Sequence, residues 1–137
     1  MKIALLNPQN YAAAASLSGG IGERPREKFD FNNPGPASKA FHGAYGANLE
    51  YYDENEQDVQ TMLENAVRKG VELPRLYVCC GTEDGAFRNY TLLEQKAAQL
   101  GLDITFEKGP GVHNFDFWDP YIKRIINWLP LVDGYVD

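Results

Sequence analysis

Cysteine, histidine, basic charge and long apolar runs are all scarce in this chain, and each shortage excludes something. The only cysteines, Cys79 and Cys80, are neighbours inside an apolar run, a poor arrangement for a structural disulfide and two ligands short of an all-cysteine zinc site. They are expected to be reduced core residues of a cytoplasmic protein. His42 and His113 are the only histidines and stand in neither a His-x-x-x-His nor a His-x-Glu pattern, while Glu83, Asp84, Asp116 and Asp119 are spaced for loops and caps. No metal and no other cofactor is therefore expected. Lys and Arg number 13 against 19 Asp and Glu, a formal charge of −6, without the basic stripe that binding to a phosphate backbone uses. Nucleic acid is excluded as a partner. Met1 to Leu6 is cut short at Asn7-Pro8-Gln9, far below the roughly 20 apolar residues of a bilayer span and too short for the core of a secretory leader. Membrane insertion is not expected.

What remains is a chain of 137 residues, 44% hydrophobic, the size of one small globular domain or of a piece of a larger one. Residues 1 to 10 read as the last turns of a helix stopped by Asn7-Pro8, because proline removes a backbone donor and disfavours helix in the residue before it. Tyr11 to Leu17 is rich in alanine, yet it is short and closed by Ser18-Gly19-Gly20, so it reads as a buried strand. From Gly19 to about Asp53 the chain is rich in Gly, Pro, Asn and charge, with Phe29, Phe31, Phe41, Tyr45, Tyr51 and Tyr52 spread through it. That length without periodicity predicts a lid-like insertion over about 19–53 in a single domain spanning 1–137. Within it, Glu23 to Lys28 mixes charges of both signs and reads as a solvated face.

Val59, Met62, Leu63, Ala66 and Val67 share one face of a predicted helix that Gly70 terminates. After Pro74, Leu76 to Cys80 is a continuous apolar run, the pattern of a strand covered on both faces. Leu92, Leu93, Lys96, Ala97 and Leu100 predict a second helix closed by Gly101, and Leu102, Ile104 and Phe106 alternate in a third strand. Asp119-Pro120 reads as N-cap and first position of a last helix carrying Ile122, Ile125, Ile126 and Leu129, ended by Pro130. Strands alternating with helices call for an α/β fold of about three parallel strands flanked by helices.

Ligands of open parallel sheets bind outside the carboxyl ends of the strands. Two polar residues fall there: Asp84, four residues after Cys80, and His113, on the Gly-rich loop after the third strand. An Asp beside a His holds the imidazole in one tautomer and stabilises its protonated form, as a general base requires. The competing readings are ordinary. Asp84 sits in Gly-Thr-Glu-Asp-Gly, a composition typical of a turn, and a single histidine is often a structural hydrogen-bonding residue. The functional reading rests on both residues following consecutive strands.

Leu76-Tyr77-Val78-Cys79-Cys80-Gly81-Thr82-Glu83-Asp84, with Gly109-Pro110-Gly111-Val112-His113 through Asp119, resembles the carboxyl-terminal half of an esterase D-like α/β-hydrolase, the group of tributyrin, acetyl and feruloyl esterases and S-formylglutathione hydrolases. Asn7-Pro8 and Tyr11 to Gly19 also resemble the segment after the nucleophile in that group. The resemblance implies a carboxylic-ester hydrolase of the serine type, acting on a small ester, with Asp84 as its acid, His113 as its base and Trp118 as the aromatic packed beside the site. It departs from the group in one respect. The nucleophile's Gly-x-Ser-x-Gly elbow is absent from the chain, so the serine, the oxyanion donors and the earlier strands are expected upstream of Met1. Ser16, Ser18 and Ser38 do not replace it, since none has the elbow's surroundings. The first strand then lacks a neighbour on one edge, which predicts a homo-oligomer or co-assembly with a separate amino-terminal half. The alternative is a non-catalytic α/β module that oligomerises or binds.

Overall fold

The computed structural model describes residues 1–19, 43–46 and 50–131. The lid expected over about 19–53 falls mostly outside the described residues, and Ser38, His42 and the charged run from Glu23 to Lys28 lie outside them too. In chain order the elements are α1 (Lys2–Leu6), a 3-10 turn (Pro8–Asn10), β1 (Ala13–Leu17), α2 (Glu54–Gln57), α3 (Val59–Lys69), β2 (Arg75–Gly81), α4 (Phe87–Leu100), β3 (Ile104–Gly109) and α5 (Phe115–Trp128). The three strands form one parallel sheet in the order β1-β2-β3.

β2 is the centre, buried from Leu76 to Gly81. Because successive side chains of a strand point to opposite faces, it serves two cores at once. Leu76, Val78 and Cys80 pack with Val59, Met62 and Leu63 of α3 and with Tyr90 and Leu93 of α4. Tyr77 and Cys79 pack on the other face with Phe117, Tyr121 and Ile125 of α5. The result is a helix–sheet–helix sandwich whose middle layer is the apolar run read from the sequence. β1 differs from its expectation as a buried strand: only Ser16 is buried in it, because β1 pairs with β2 alone among the described residues.

The helices are capped locally. The Asp58 carboxylate accepts the amides of Gln60 and Thr61 at the start of α3, and Gly70, at φ +64°, closes it in the left-handed conformation that glycine adopts without steric cost. Gly101 closes α4 in the same way.

Three helical readings shift. Val67 is exposed, leaving Val59, Met62, Leu63 and Ala66 as the inward face of α3. α4 starts at Phe87, so its buried stripe is Tyr90, Leu93 and Ala97, with Leu92 exposed. α5 starts at Phe115 rather than at Asp119-Pro120, because Asn114 caps it by accepting the Phe117 amide at 3.3 Å. Pro120 lies inside the helix and, having no amide hydrogen, leaves the Asp116 carbonyl without its helical donor. Its inward face is Phe117, Tyr121 and Ile125, four residues apart, while Ile122 and Ile126 are exposed.

Candidate active site

The carboxyl ends of β2 and β3 are joined by backbone beyond the ladder itself. Gly81 pairs with Gly109 as the last register position. Past it, the Thr82 amide donates to the Gly109 carbonyl at 2.9 Å and the Glu83 amide to the Gly111 carbonyl at 3.1 Å. Glycine is required for this approach. A Cβ on Gly81 would meet the Gly111 carbonyl oxygen at 2.2 Å, and one on Gly111, at φ +145°, would meet Phe117 at 2.8 Å.

These two loops carry Asp84 and His113. Asp84 folds as the turn residue its composition announces, with its amide donating to the Gly81 carbonyl at 3.1 Å and its Oδ1 accepting the Ala86 amide at 2.8 Å. The same carboxylate faces His113, with Oδ2 3.0 Å and Oδ1 3.2 Å from Nδ1. The turn bond and the contact with His113 are thus made by one side chain. The Asp84 side chain is 1% exposed and that of His113 58% exposed, so the carboxylate is enclosed and the imidazole is presented.

Burial works against ionisation of Asp84, but hydrogen bonding from the Ala86 amide, the Ser18 hydroxyl and the His113 ring outweighs it and holds the carboxyl below its ordinary value. An ionised acceptor at Nδ1 makes that nitrogen the proton donor and leaves the lone pair of the neutral imidazole on Nε2. The arrangement can take a proton at Nε2 while the carboxylate steadies the resulting charge.

Trp118, one turn into α5, packs edge-on against the His113 ring with centroids 4.9 Å apart. Its indole Nε1–H donates to Ser18 Oγ at 3.2 Å. Ser18, which the sequence offers only as a serine without the elbow's surroundings, is 3% exposed and holds φ +51°, the one non-glycine positive φ among the described residues. Its place just past β1, before Gly19-Gly20, was the available signal. Leu17, Ser18, Gly19, His113, Phe115, Trp118 and Ile122 line a largely apolar cleft of about 550 Å³. Ser16 is buried within β1.

Cys79 and Cys80 are free and buried. Burial, with the neighbouring Cys80 thiol and Glu107 adding to it, pushes the Cys79 thiol up to about 12. Among the described residues no group of three or more His, Cys, Asp or Glu side chains is gathered as a metal shell. Among them, too, no helix is long and apolar enough to cross a membrane.

No family model matches the chain. An acetyl esterase of Caldicellulosiruptor saccharolyticus is 24% identical over 78 residues, 57% of this chain and 29% of that protein. The S-formylglutathione hydrolase FrmB of Staphylococcus aureus superposes with a TM-score of 0.72 at 28% identity, over 93% of this chain and 48% of its own. A fluorophosphonate-binding serine hydrolase F from Staphylococcus aureus, in a substrate-bound structure, matches with the same values. A ferulic acid esterase, 16% identical with a TM-score of 0.57, shares the fold over 93% of this chain and 45% of its own. The chain spans about half the length of the solved structures it matches. With three parallel strands between helices and these neighbours, the chain has a partial α/β-hydrolase fold and is similar to about half of solved S-formylglutathione hydrolase and esterase structures, as fits a carboxyl-terminal half.

Proposed function

We propose that this chain supplies the acid and the base of a serine-type carboxylic-ester hydrolase, as one partial α/β-hydrolase domain. The observation that carries the reading is the enclosed Asp84 carboxylate 3.0 Å from Nδ1 of a solvent-facing His113, at the carboxyl ends of adjacent parallel strands. His113 Nε2 takes the proton of a serine hydroxyl as its oxygen attacks the ester carbonyl, then returns it to the leaving alcohol; Asp84 holds Nδ1–H throughout. The chain has no Gly-x-Ser-x-Gly sequence, and the Ser18 oxygen is already the acceptor for Trp118. The nucleophile and the oxyanion donors therefore come from sequence outside these 137 residues. Trp118 forms the apolar wall on which a small ester rests, supported by its edge-on contact with His113 and its place in the cleft.

The missing amino-terminal half completes the site; the alternative partner, a second copy of the chain, covers the same exposed edge without supplying the nucleophile. Supporting this, the outer edge of β1 has no strand partner among the described residues, and Phe115, Ile122 and Ile126 of α5 are exposed. Two free, buried thiols fit a cytoplasmic location. A monodisperse monomer by light scattering at micromolar concentration counts against self-association.

The catalytic reading is tested by mixing the chain with its amino-terminal half and assaying a short-chain nitrophenyl ester. Activity that survives His113→Ala undiminished removes the assignment. A second reading, a non-catalytic binding module, is favoured by the absent elbow motif. Covalent labelling of this chain alone by a fluorophosphonate would show a competent local serine and defeat it.

A further inference from the structure

Glu83 stands between the turn at Thr82 and the acid Asp84, and its side chain leaves its own loop. Its Oε2 accepts the amide hydrogen of Gly111, while the Glu83 amide donates to the Gly111 carbonyl. Gly111 is thus held at both of its backbone groups by one residue. It lies two positions before His113, in a conformation with φ +145° and against Phe117, where no Cβ fits. Beyond the last strand pair, four links tie the histidine loop to the acid loop among the described residues: Thr82 to Gly109, the two Glu83–Gly111 bonds, and the Asp84–His113 pair itself.

We propose that Glu83 is a positioning residue, its carboxylate latching Gly111 so that the histidine loop presents His113 to Asp84. A backbone amide is free to meet water when its loop drifts. An ionised carboxylate acceptor makes the bonded arrangement the favoured one, because charge-assisted hydrogen bonds are shorter and stronger than neutral ones. The Gly111 amide in turn holds the exposed Glu83 carboxyl below its ordinary value, so the acceptor stays charged at neutral pH. The consequence reaches the imidazole through two residues of chain. His113 is 58% exposed and touched on one side by Trp118, so its approach to Asp84 depends on where its loop is held.

The inference rests on the proposed function only in naming His113 the base, and its test requires no turnover, so the two fail separately. In the unmodified, isotopically labelled chain, a through-hydrogen-bond NMR correlation is expected from the Gly111 amide nitrogen to the Glu83 side-chain carboxyl carbon. Its absence in a folded sample overturns the proposal. In Glu83→Ala, Gly111 amide exchange is expected to quicken at least tenfold and the His113 Nδ1–H signal to be lost. The Trp128 indole, bonded to Thr105 Oγ1 far from these loops, should keep its resonance as a control for folding. Glu83→Gln retains an acceptor without the charge and should restore both signals in part. Unchanged Gly111 exchange and an unchanged His113 signal in folded Glu83→Ala would overturn the latch. Should Glu83→Ala fail to fold, the correlation in the unmodified chain decides.

Discussion

The two ends of the sheet hold clefts of similar size and different chemistry. At the amino-terminal ends of β1 and β2, Pro8, Tyr11, Val71, Glu72 and Arg75 line about 600 Å³. There the Arg75 guanidinium lies over the Trp128 ring, 4.6 Å from its centre, a cation–π contact that holds the end of α5 to the sheet. At the carboxyl ends the cleft is about 550 Å³, but its wall includes the exposed His113 imidazole, which bonds the enclosed Asp84 carboxylate behind it. Volume therefore does not distinguish them. What does is the direction of the chain. Loops leaving the carboxyl ends of parallel strands carry side chains outward before the next helix begins, and glycines at 81 and 111 let two such loops touch.

Substitutions at the two ends should separate most widely in catalysis. In the reconstituted enzyme Asp84→Asn is expected to lower kcat by about 10⁴, the loss that follows when the histidine adopts the wrong tautomer. Arg75→Ala, at the other end, should leave kcat within about twofold. Equal losses at both ends would erase the distinction.

Stability comes next. Gly111→Ala places a Cβ against Phe117 in a backbone conformation that side chains rarely adopt, and should cost about 1–3 kcal/mol in urea unfolding. Gly85→Ala, where an added Cβ meets nothing within 4 Å, should cost less than about 1 kcal/mol.

Acid sharpens the same contrast. The folded-state value of Asp84 lies below its ordinary one, so the unfolded chain binds the proton more readily. The contribution of Asp84 to stability is complete above the unfolded value of about 3.9 and is lost as pH falls through the lower folded value. Asp84→Asn should flatten that acid limb in a plot of unfolding midpoint against pH. A limb of unchanged slope would mean that other carboxyl groups set it.

Smaller effects belong to Ser18. Ser18→Ala removes the acceptor of the Trp118 indole and should cost about 0.5–1.5 kcal/mol, with KM raised a few-fold and kcat nearly unchanged. The thiols provide a check with no expected activity change. Cys79 and Cys80 are buried, with the Cys79 value near 12, so a disulfide-exchange reagent at pH 8 should titrate neither until the chain unfolds.

How much of this was written in the sequence varies with the range of the interaction. The run Leu76 to Cys80 announced a strand covered on both faces, and it is the buried middle of the sheet. Gly70 and Gly101 marked helix ends because a left-handed closing residue is a local demand. Asp84 and His113 were found because both follow strands directly, and their 3.0 Å contact needed only that those strands be neighbours. The start of α5 was misread because Asp119-Pro120 has the composition of a cap, while Asn114 makes the capping bond.

The sequence alone determined the α/β alternation, the strand-end placement of Asp84 and His113, and the absence of a Gly-x-Ser-x-Gly motif, because each depends on spacing along the chain. Only the tertiary structure decided that Ser18 anchors Trp118, 100 positions away, and that the carboxylate of Glu83 bonds an amide 28 positions on. Nothing in the pattern around a serine or a glutamate specifies a partner that far along the chain; such pairs exist only once the sheet has brought its carboxyl-end loops together.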